Sequence, residues 1–352
     1  MDMNVVKFDF LAASDADWEA YFRHKDEILR EADPEEPLLP REKRKAVFIS
    51  SAASPYRQAR MFLMFSPGDA AAAGFAFLSV ETPRSPTYET NKHFAHLTLS
   101  VSKKYRGKGA GRLLLKRVIE EAAALEPAIS ELLTPVVLES GGRFLAGLGA
   151  TVALENAENR LNFKDVDWKM AQAWAEEGAR RNPATALVTV QTIPREDLED
   201  YSAAYTETSA QAPQGDIEGK FVYTPEMIRF SEQKIIAQGY TPITMFTRES
   251  DGKISGLTEM MYLPEAGHKA TQMLTGVREQ YRGRGLGKLL KASMLLHIRK
   301  EFPGVKHVAT GNADSNAPML AINNRLGFKK HLAIKLYKLK LGPKLPEKAG
   351  PP

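Results

Sequence analysis

The sequence contains no cysteine. This absence excludes disulfide bonds, thiolate metal sites and a cysteine acyl-enzyme. No apolar run approaches the roughly 18 residues that a membrane helix needs, and the longest candidate, residues 70–80, is short enough to be a buried strand. The N-terminus is acidic and carries no signal-peptide pattern. We therefore expect a cytoplasmic protein with no membrane partner.

Histidine is scarce, and none of the seven histidines belongs to an HExxH pattern. His93 and His96 are three residues apart in strand-like sequence, where such a pair points to opposite faces of a sheet. We therefore expect no metal site.

The length of 352 residues suggests two domains, at roughly 100–200 residues per domain. The net charge of +5 is uneven, because residues 269–348 hold 17 Lys and Arg against 4 Asp and Glu. This surplus indicates either a polyanionic partner, such as nucleic acid or a small ligand with several phosphates, or simply a solvated basic surface. No aromatic-interleaved basic helix is present, so we expect no nucleic-acid partner.

The chain contains one pattern twice. A 14-residue segment that begins at Val101 (VSKKYRGKGAGRLL) matches the segment that begins at Val277 (VREQYRGRGLGKLL), at an offset of half the chain. Upstream, Gly74 matches Gly256 at an offset larger by six residues, which places a loop insertion in the first copy. Duplication of a domain of about 170 residues explains both matches.

The repeat predicts the domain boundaries. Aromatic and small residues recur at helical spacing near the joint, which predicts a connecting helix packed by its two tryptophans. The proline-rich C-terminal end is predicted to be disordered. The predicted segments are a first domain at 1–164, a connecting helix and linker at 165–186, a second domain at 187–341 and a tail at 342–352.

Periodicity and turn residues predict the elements of the second copy. A helix opens at Pro194 and is followed by a loop at 206–225. The remaining elements are strands at 187–192, 243–247, 254–262, 269–277, 305–310 and within 328–341, and helices at 225–238, 286–301 and 317–326.

A strand, a glycine-rich turn and a helix in this order form an anion site, because the first amides of a helix are unpaired and glycines leave them accessible. The alternative is a tight glycine turn with no ligand. In the second copy the turn contains Gly283, Gly285 and Gly287, with Arg282, Arg284 and Lys288 as charged contacts.

These residues resemble the GNAT acetyltransferase family. Its R/Q-x-x-G-x-G/A turn reads here as Arg282-x-x-Gly285-x-Gly287 and, in the first copy, as Arg106-x-x-Gly109-x-Gly111. The second copy also contains Thr275-Gly-Val before the turn, Asn312 and Asn316 after it, and a final Asn323-Asn-Arg-Leu-Gly-Phe. The whole arrangement resembles tandem two-domain GNAT proteins of the mycothiol-synthase-like type.

The resemblance implies two α/β (α+β) domains, each a mixed central β-sheet flanked by helices, with acetyl-CoA in a gap between splayed strands. It also implies that the acetyl group passes directly to an amine without a covalent enzyme intermediate. On the same resemblance, the pyrophosphate would lie on the glycine turn and the pantetheine would pair with the strand edge. The implied contacts are Leu274, Thr275, Val277, Arg282, Gly283, Arg284, Gly285, Leu286, Gly287, Lys288, Asn312 and Asn316, and in the first copy Val101, Arg106, Gly107, Lys108, Gly109 and Gly111.

Direct transfer needs a general base for the amine proton and a donor, such as a backbone N–H near Leu274, for the oxyanion. Glu259 is the odd residue in an apolar strand, where burial would raise its pKa toward neutrality. The alternative is that Glu259 faces water on a half-exposed strand. Gln272 cannot act as a base but can orient a substrate or a water. Asn316 can orient a water, bind the cofactor, cap a helix, or combine these roles.

Two departures from the family pattern matter. Many members carry an acidic Tyr where this chain has Asn323, and Tyr337 and Tyr262 are substitutes by residue type only, so water is the other candidate acid. The first copy has Phe77 at the position of Glu259. It also has Val136 in place of Asn312 and Ser140 near the position of Asn316. We therefore expect catalysis in the second domain, with a first domain that binds acetyl-CoA without transfer or serves only as a structural partner.

The expected activity is transfer of the acetyl group of acetyl-CoA to a primary amine of a small molecule. Alternatives are a non-catalytic acyl-CoA-binding or sensing protein and transfer of a different acyl group. An acidic stretch at 207–232 favours a cationic amine, although an exposed helix face explains the same charges. Monomer and homodimer both stay open. Residues that would line an aromatic pocket, or belong to the core, are Tyr201, Tyr205, Phe221 and Tyr223.

Overall fold

The computed structural model describes residues 2–125 and 129–342. Contacts between backbone positions divide the chain into two compact units. Each unit has its own buried core, and each contains one of the two glycine turns. Within the described residues, the first unit comprises 2–125, 129–155, 215–219 and 334–342, and the second comprises 156–214 and 220–333.

The units cross the predicted boundaries because each takes a strand from the other half of the chain. The C-terminal strand β12 (Lys329–Lys340) pairs from Lys335 onward with β5 (Glu131–Val136) of the first unit. Strand β6 (Thr151–Asn162) pairs from Asn156 onward with β11 (His307–Ala313) of the second unit. Burial explains the exchange, because apolar side chains of both strands belong to the core of the unit that they join.

The first unit contains a mixed sheet in the order β1-β2-β3-β4-β5-β12. Only β4 and β5 are parallel among these pairs. The first long helix begins at a capping box in which Ser14 and Asp17 bond reciprocally. The remaining bounds are β1 (Asn4–Lys7), α1 (Asp15–Ala32), α2 (Arg41–Ala52), β2 (Arg57–Phe65), β3 (Gly74–Glu81), α3 (Tyr88–Asn91), β4 (Phe94–Val101), α4 (Ala110–Ala123) and α5 (Glu139–Ala146).

The second unit repeats this plan with the order β6-β11-β10-β9-β8-β7. Its one parallel pair in the described chain is β10 with β11, and the other pairs are antiparallel. The predicted mixed sheets flanked by helices are thus confirmed. The bounds are α6 (Trp168–Arg181), β7 (Ala186–Val190), α7 (Leu198–Ala210), α8 (Pro225–Ala237), β8 (Thr241–Arg248), β9 (Ile254–Tyr262), β10 (Lys269–Val277), α9 (Leu286–Glu301) and α10 (Ala317–Leu326).

The predicted connecting helix forms as α6, but it belongs to the second unit instead of standing between two domains. Its N-cap is Asp167, whose side chain accepts from the Met170 amide, and the helix packs on α9. A Cβ at Gly178 would lie 2.7 Å from the Cβ of Leu289, so this glycine permits the close approach. Trp174 is buried in the core of the second unit.

Most predicted elements of the second copy lie within two residues of their observed bounds. The clearest error is α7, where a loop was predicted from residue 206, although the helix starts at Leu198 and continues to Ala210. Burial of Tyr201, Ala204 and Thr208 on one face keeps this segment helical. The C-terminal strands are a single strand, β12. Residues 343–352 of the predicted tail lie outside the described residues.

None of the helices within 2–125 and 129–342 is both long enough and apolar enough to cross a membrane.

Candidate functional site

Strands β10 and β11 separate part-way along their length. They pair only from Lys269 with His307 to Gln272 with Thr310. Beyond that point β10 still pairs with β9, whereas β11 still pairs with β6. Residues 273–277 of β10 therefore present a free edge of backbone N–H and C=O groups toward a gap in the sheet. An extended ligand can pair with such an edge.

A β-bulge interrupts β10 at this gap. Thr258 pairs with Thr275, and two residues further along β9, Met260 pairs with Gln272. Glu259 therefore lies opposite two residues of β10 instead of one. A bulge leaves backbone groups unpaired and redirects side chains, which suits a site where a ligand must be contacted.

The corresponding strands of the first unit have no bulge. There, Ala76 pairs with Leu99 and Leu78 pairs with Leu97, so the register is continuous. Phe77 stands opposite a single residue, Thr98. The two copies thus have the same strand arrangement. They differ at the position of Glu259, which faces a bulge in the second copy and is Phe77 in the first.

The carboxyl of Glu259 is held by tyrosine. Tyr201 Oη donates to Glu259 Oε1 over 2.7 Å. Burial raises the pKa of Glu259 to about 7, and hydrogen bonds from Tyr201 and Tyr205 oppose part of this rise. The nearby charge of Glu232 raises the pKa further. Glu259 can therefore take up and release a proton near neutral pH.

The tyrosines form a compact group around this carboxyl. Tyr201 is fully buried, and the rings of Tyr205 and Tyr223 lie 4.6 Å apart. Burial raises the pKa of all three hydroxyls, and the charge of Glu259 adds to the rise. The hydroxyls are therefore neutral donors. Phe221, the fourth predicted aromatic residue, is only half-buried.

The glycine turn of the second unit has the geometry of an anion site. Gly283 and Gly285 have φ of +80° and +82°, a conformation that favours glycine, and no atom lies within 4 Å of where their Cβ atoms would be. Helix α9 begins directly afterwards at Leu286, with no side-chain cap at Gly285. Its first amides are therefore available to an anion.

The cations around this turn differ in their surroundings. Arg282 Nη2 donates to Oε1 of Gln211, a neutral partner, over 2.5 Å. Lys288 lies over the ring of Trp174. Neither contact neutralises the positive charge, so both residues can still attract an anion.

Among the predicted charged contacts of the second turn, Arg284 has a competing carboxylate partner. Its guanidinium donates to Asn182, to Thr185 and, over 3.0 Å, to the carboxylate of Glu249. The arginine therefore ties the turn to the segment after α6 and to the β8–β9 connection. These residues border a surface depression lined by Arg181, Asn182, Pro183, Ala184, Gly283 and Arg284.

At the turn of the first unit, the partner of the arginine is a carboxylate, whereas at the second turn it is the side-chain amide of Gln211. Gly107 and Gly109 have φ of +72° and +86°, and α4 follows directly. Arg106, however, forms two hydrogen bonds of 2.6 Å with Glu31 on α1. The counterpart of Glu31 is Gln211, the C-cap residue of α7. The positive charge of Arg106 is thus compensated, although the backbone of the turn is intact.

The comparisons with known proteins agree with this duplicated plan. The Acetyltransferase (GNAT) family matches residues 18–136 and 203–328. The chain belongs to this family. Its membership extends over both copies, as the repeat in the sequence requires. No curated protein sequence matches the chain.

Solved structures related to this GNAT chain share its fold. A tandem GNAT protein from the clavulanic acid biosynthesis pathway is 21% identical with a TM-score of 0.73, and the match covers 97% of this chain and 100% of that one. A GCN5-related N-acetyltransferase from Sphaerobacter thermophilus is 18% identical with a TM-score of 0.61, covering 96% and 95%. A glucosamine N-acetyltransferase region of a fungal multi-domain β-N-acetylglucosaminidase is 14% identical with a TM-score of 0.64, covering 96% and 38%.

Two asparagines of this GNAT chain meet beyond the gap. Asn323 Nδ2 donates to Asn312 Oδ1 over 2.7 Å. The Asn323 side chain is buried, and its Oδ1 has no hydrogen-bond partner within the described chain. Asn316 caps α10 by accepting from the Met319 amide, so its role as helix cap is established and its role toward a ligand stays a prediction.

The two candidate replacements for a tyrosine acid lie elsewhere. Tyr262 packs on Phe302 with ring centroids 4.5 Å apart. Tyr337 belongs to the first unit, where its hydroxyl lies against Gly142. Neither tyrosine is hydrogen-bonded to the Asn323 side chain in the part of the chain that is described, so water stays the simplest proton source.

The predicted acidic stretch does not form one wall. Asp216 and Glu218 belong to the first unit, because residues 215–219 pack there. Glu207 pairs with Arg278, and Glu232 pairs with Arg229. The charge that favoured a cationic amine is therefore dispersed or already compensated.

Val101 ends β4 and Val277 ends β10, so each lies just before one of the two turns. Leu286 begins α9 directly after the second turn. Gly111 and Gly287 lie in the first turns of α4 and α9, and Lys108 is exposed. No cluster of potential metal ligands occurs within 2–125 and 129–342.

The sequence analysis did not single out Lys291, which is buried. The available signal was a lysine on the apolar face of α9, where the first copy has Leu115.

Proposed function

We propose that the second unit of this GNAT protein transfers the acetyl group of acetyl-CoA to a primary amine of a small molecule. The observation that carries the proposal is the position of Glu259. It is a carboxyl with a pKa of about 7, it lies opposite the bulge, and the bulge adjoins the free edge of β10. The first unit has Phe77 there and no base.

The residues of the second unit suit a donor with a pyrophosphate and an extended arm. The first amides of α9, exposed by Gly283 and Gly285, would bind the pyrophosphate, with Arg282 and Lys288 adding positive charge. The free edge at 273–277 would pair with amide groups of the arm. When bound, acetyl-CoA supplies the thioester carbonyl that is attacked.

Glu259 would accept the proton that the amine loses as its nitrogen bonds to the acetyl carbon. The C–S bond would break, and the departing thiolate would take a proton from water. The hydroxide that remains would be neutralised by the proton that Glu259 releases. Tyr201 and Tyr205 hold the carboxylate in one orientation. A backbone N–H in the bulge, at Leu274, would stabilise the oxyanion while the tetrahedral state lasts.

One observation favours a second candidate function, acyl-CoA binding without transfer. Asn323 replaces the family's acidic tyrosine, and an amide does not protonate a thiolate. On this alternative, acetyl-CoA binds and no amine is acetylated. The two functions share the donor site and differ only in turnover.

Calorimetric titration with acetyl-CoA tests the donor site. At Gly285 we compare Gly285→Asp with Gly285→Asn, because both side chains strain the same left-handed backbone and only Asp adds a negative charge. The proposal requires a larger loss of affinity with Asp. The matched pair Gly109→Asp and Gly109→Asn reports the first unit in the same way. Absence of acetyl-CoA binding by the parent would refute the proposal.

An amine panel then separates the two functions. Each amine is incubated with acetyl-CoA, and free thiol is measured over time. Turnover that is lost in Glu259→Gln supports transfer by the second unit. Binding with no turnover on any amine supports the non-catalytic alternative.

A further inference from the structure

A chain of buried polar side chains leads from α9 to the edge of the gap. Lys291 is 1% exposed, and its Nζ donates to Gln272 Oε1 over 2.7 Å. Gln272 Nε2 donates to Thr258 Oγ1 over 3.1 Å. The hydroxyls of Thr258 and Thr275 lie 2.7 Å apart. The chain joins the two residues of β10 that flank the bulge, Gln272 and Thr275, through one residue of β9.

Lys291 in its charged form can only donate, so it favours one direction for each hydrogen bond in this chain. It donates to the oxygen of Gln272, which leaves the amide nitrogen to donate to Thr258. The Thr258 hydroxyl is fully buried, and within the described chain its only acceptor is Thr275 Oγ1. A buried hydroxyl donates where it can, so the Thr258 proton lies toward Thr275.

The Thr275 hydroxyl is therefore left with its own proton and no acceptor. Thr275 is partly exposed, it lies on the free-edge segment of β10, and it has no other side-chain partner in residues 2–125 and 129–342. The Thr275 hydroxyl can therefore donate its proton to a ligand. Accepting a hydrogen bond through the second lone pair of its oxygen is the weaker alternative.

The fold itself does not require this chain. At the four corresponding places of the first unit the residues are apolar, so the same strands and helix form there without a hydrogen bond among these four side chains. Burying a lysine without a carboxylate partner costs stability, which an apolar residue avoids. The counterparts of Lys291, Gln272, Thr258 and Thr275 are Leu115, Leu97, Ala76 and Leu99.

We propose that Lys291 is a positioning residue that acts through Gln272 and Thr258 to hold the Thr275 hydroxyl as a hydrogen-bond donor to the acyl-CoA arm. The acceptor would be a carbonyl oxygen of the arm beside the bulge. This inference rests on the proposed function, because it assumes that acyl-CoA occupies the free edge of β10.

A double-mutant cycle tests the proposal. Acetyl-CoA affinity is titrated for the parent, Thr275→Val, Lys291→Met and the double variant, and the KM of the amine is measured alongside. Loss of one neutral hydrogen bond weakens binding by about five-fold. We expect about this loss in each single variant, the same loss in the double variant, and an unchanged amine KM.

The control is Leu115→Met, the matching change at the counterpart position of the first unit, which should leave affinity at the second unit unchanged. Thermal unfolding verifies that each variant is folded, and Lys291→Met is expected to fold because Leu115 fills the same place. A loss of roughly 25-fold in the double variant would overturn the proposed coupling of Lys291 to Thr275, since the effects of independent changes multiply. Unchanged affinity in Thr275→Val would do the same.

These outcomes are distinguishable from failure of the proposed function. If the parent binds acetyl-CoA and Gly285→Asp weakens that binding, the donor site exists whatever Thr275→Val does. If the parent binds no acetyl-CoA, the proposed function and the proposed coupling of Lys291 to Thr275 both fail.

Discussion

Tyr201 Oη donates a hydrogen bond of 2.7 Å to Glu259 Oε1, and this contact keeps the pKa of Glu259 below the value that burial alone would give. Tyr201→Phe removes the donor and leaves the burial. The pKa of Glu259 should therefore rise. Because the deprotonated carboxyl is the active base, kcat/KM increases with pH through this pKa.

The acidic limb of the pH profile should accordingly lie near pH 7 in the parent and move to higher pH in Tyr201→Phe. The profile of kcat/KM between pH 5 and 9 measures this shift. Tyr262→Phe is the control, because Tyr262 packs on Phe302. A limb that moves to lower pH in Tyr201→Phe would contradict the assignment of Glu259 as the base.

Glu259→Gln keeps the shape of the side chain and removes the base. We expect kcat to fall by about 10²- to 10⁴-fold, the range that general-base catalysis contributes. Acetyl-CoA affinity should stay close to that of the parent. Rates and calorimetry together check both statements. Glu226→Gln, at an exposed position on α8, is the matched control and should leave kcat unchanged. Normal turnover by Glu259→Gln would exclude Glu259 as the base.

Lys291 makes the stability of the second unit depend on pH. Burial lowers the pKa of Lys291 to about 7 in the folded protein, from a value of 10.5 when it is exposed. Between these values the unfolded chain holds more protons than the folded chain, so the lysine's destabilising effect is full below about pH 7 and fades as the pH rises toward 10.5.

Lys291→Met should therefore be most favourable relative to the parent at or below pH 7, and its relative advantage should decline as the pH rises. Thermal unfolding at several pH values from 6 to 10 measures this difference. Glu259 titrates below this window, between 4.5 and about 7, with a contribution that falls as pH rises. A difference in Tm that is independent of pH would show that Lys291 keeps an ordinary pKa.

Glu31 compensates the positive charge of Arg106 at the first turn, whereas its counterpart Gln211 leaves the charge of Arg282 uncompensated. Glu31→Gln should tighten acetyl-CoA binding at the first unit by roughly two- to five-fold, since partly exposed ion pairs contribute modestly. The measurement uses a Gly285→Asp background, so that the second turn does not contribute.

The reverse exchange, Gln211→Glu in a Gly109→Asp background, should weaken binding at the second unit by a similar factor. Glu27→Gln, one helical turn before Glu31, provides a comparison because Glu27 accepts from the Lys103 amide and forms no bond to Arg106. Equal affinities for Glu31→Gln and its parent would show that backbone amides alone determine binding at the first turn.

Local patterns in the sequence were sufficient for the duplication, the two glycine turns and most elements around the second turn. Strand β10 and helices α9 and α10 were predicted at their observed bounds, because periodicity, glycine and helix caps are signals within a few residues of each other. Glu259 was predicted as the general base from an equally local signal, a single carboxylate in an apolar strand. Its pKa of about 7 agrees with the burial expected there.

The tertiary structure decided which side chains meet. Strand β12 joins the first unit and β6 joins the second, and no local signal specifies a strand partner that lies far away in the sequence. Arg284 forms an ion pair with Glu249, which its sequence position did not indicate. Glu259 faces a bulge that occurs in the second copy and not in the first. Lys291 acquires its depressed pKa and its hydrogen-bond direction from neighbours on other elements. Sequence fixes charge and backbone preference residue by residue, whereas burial and hydrogen-bond partners are properties of the folded chain.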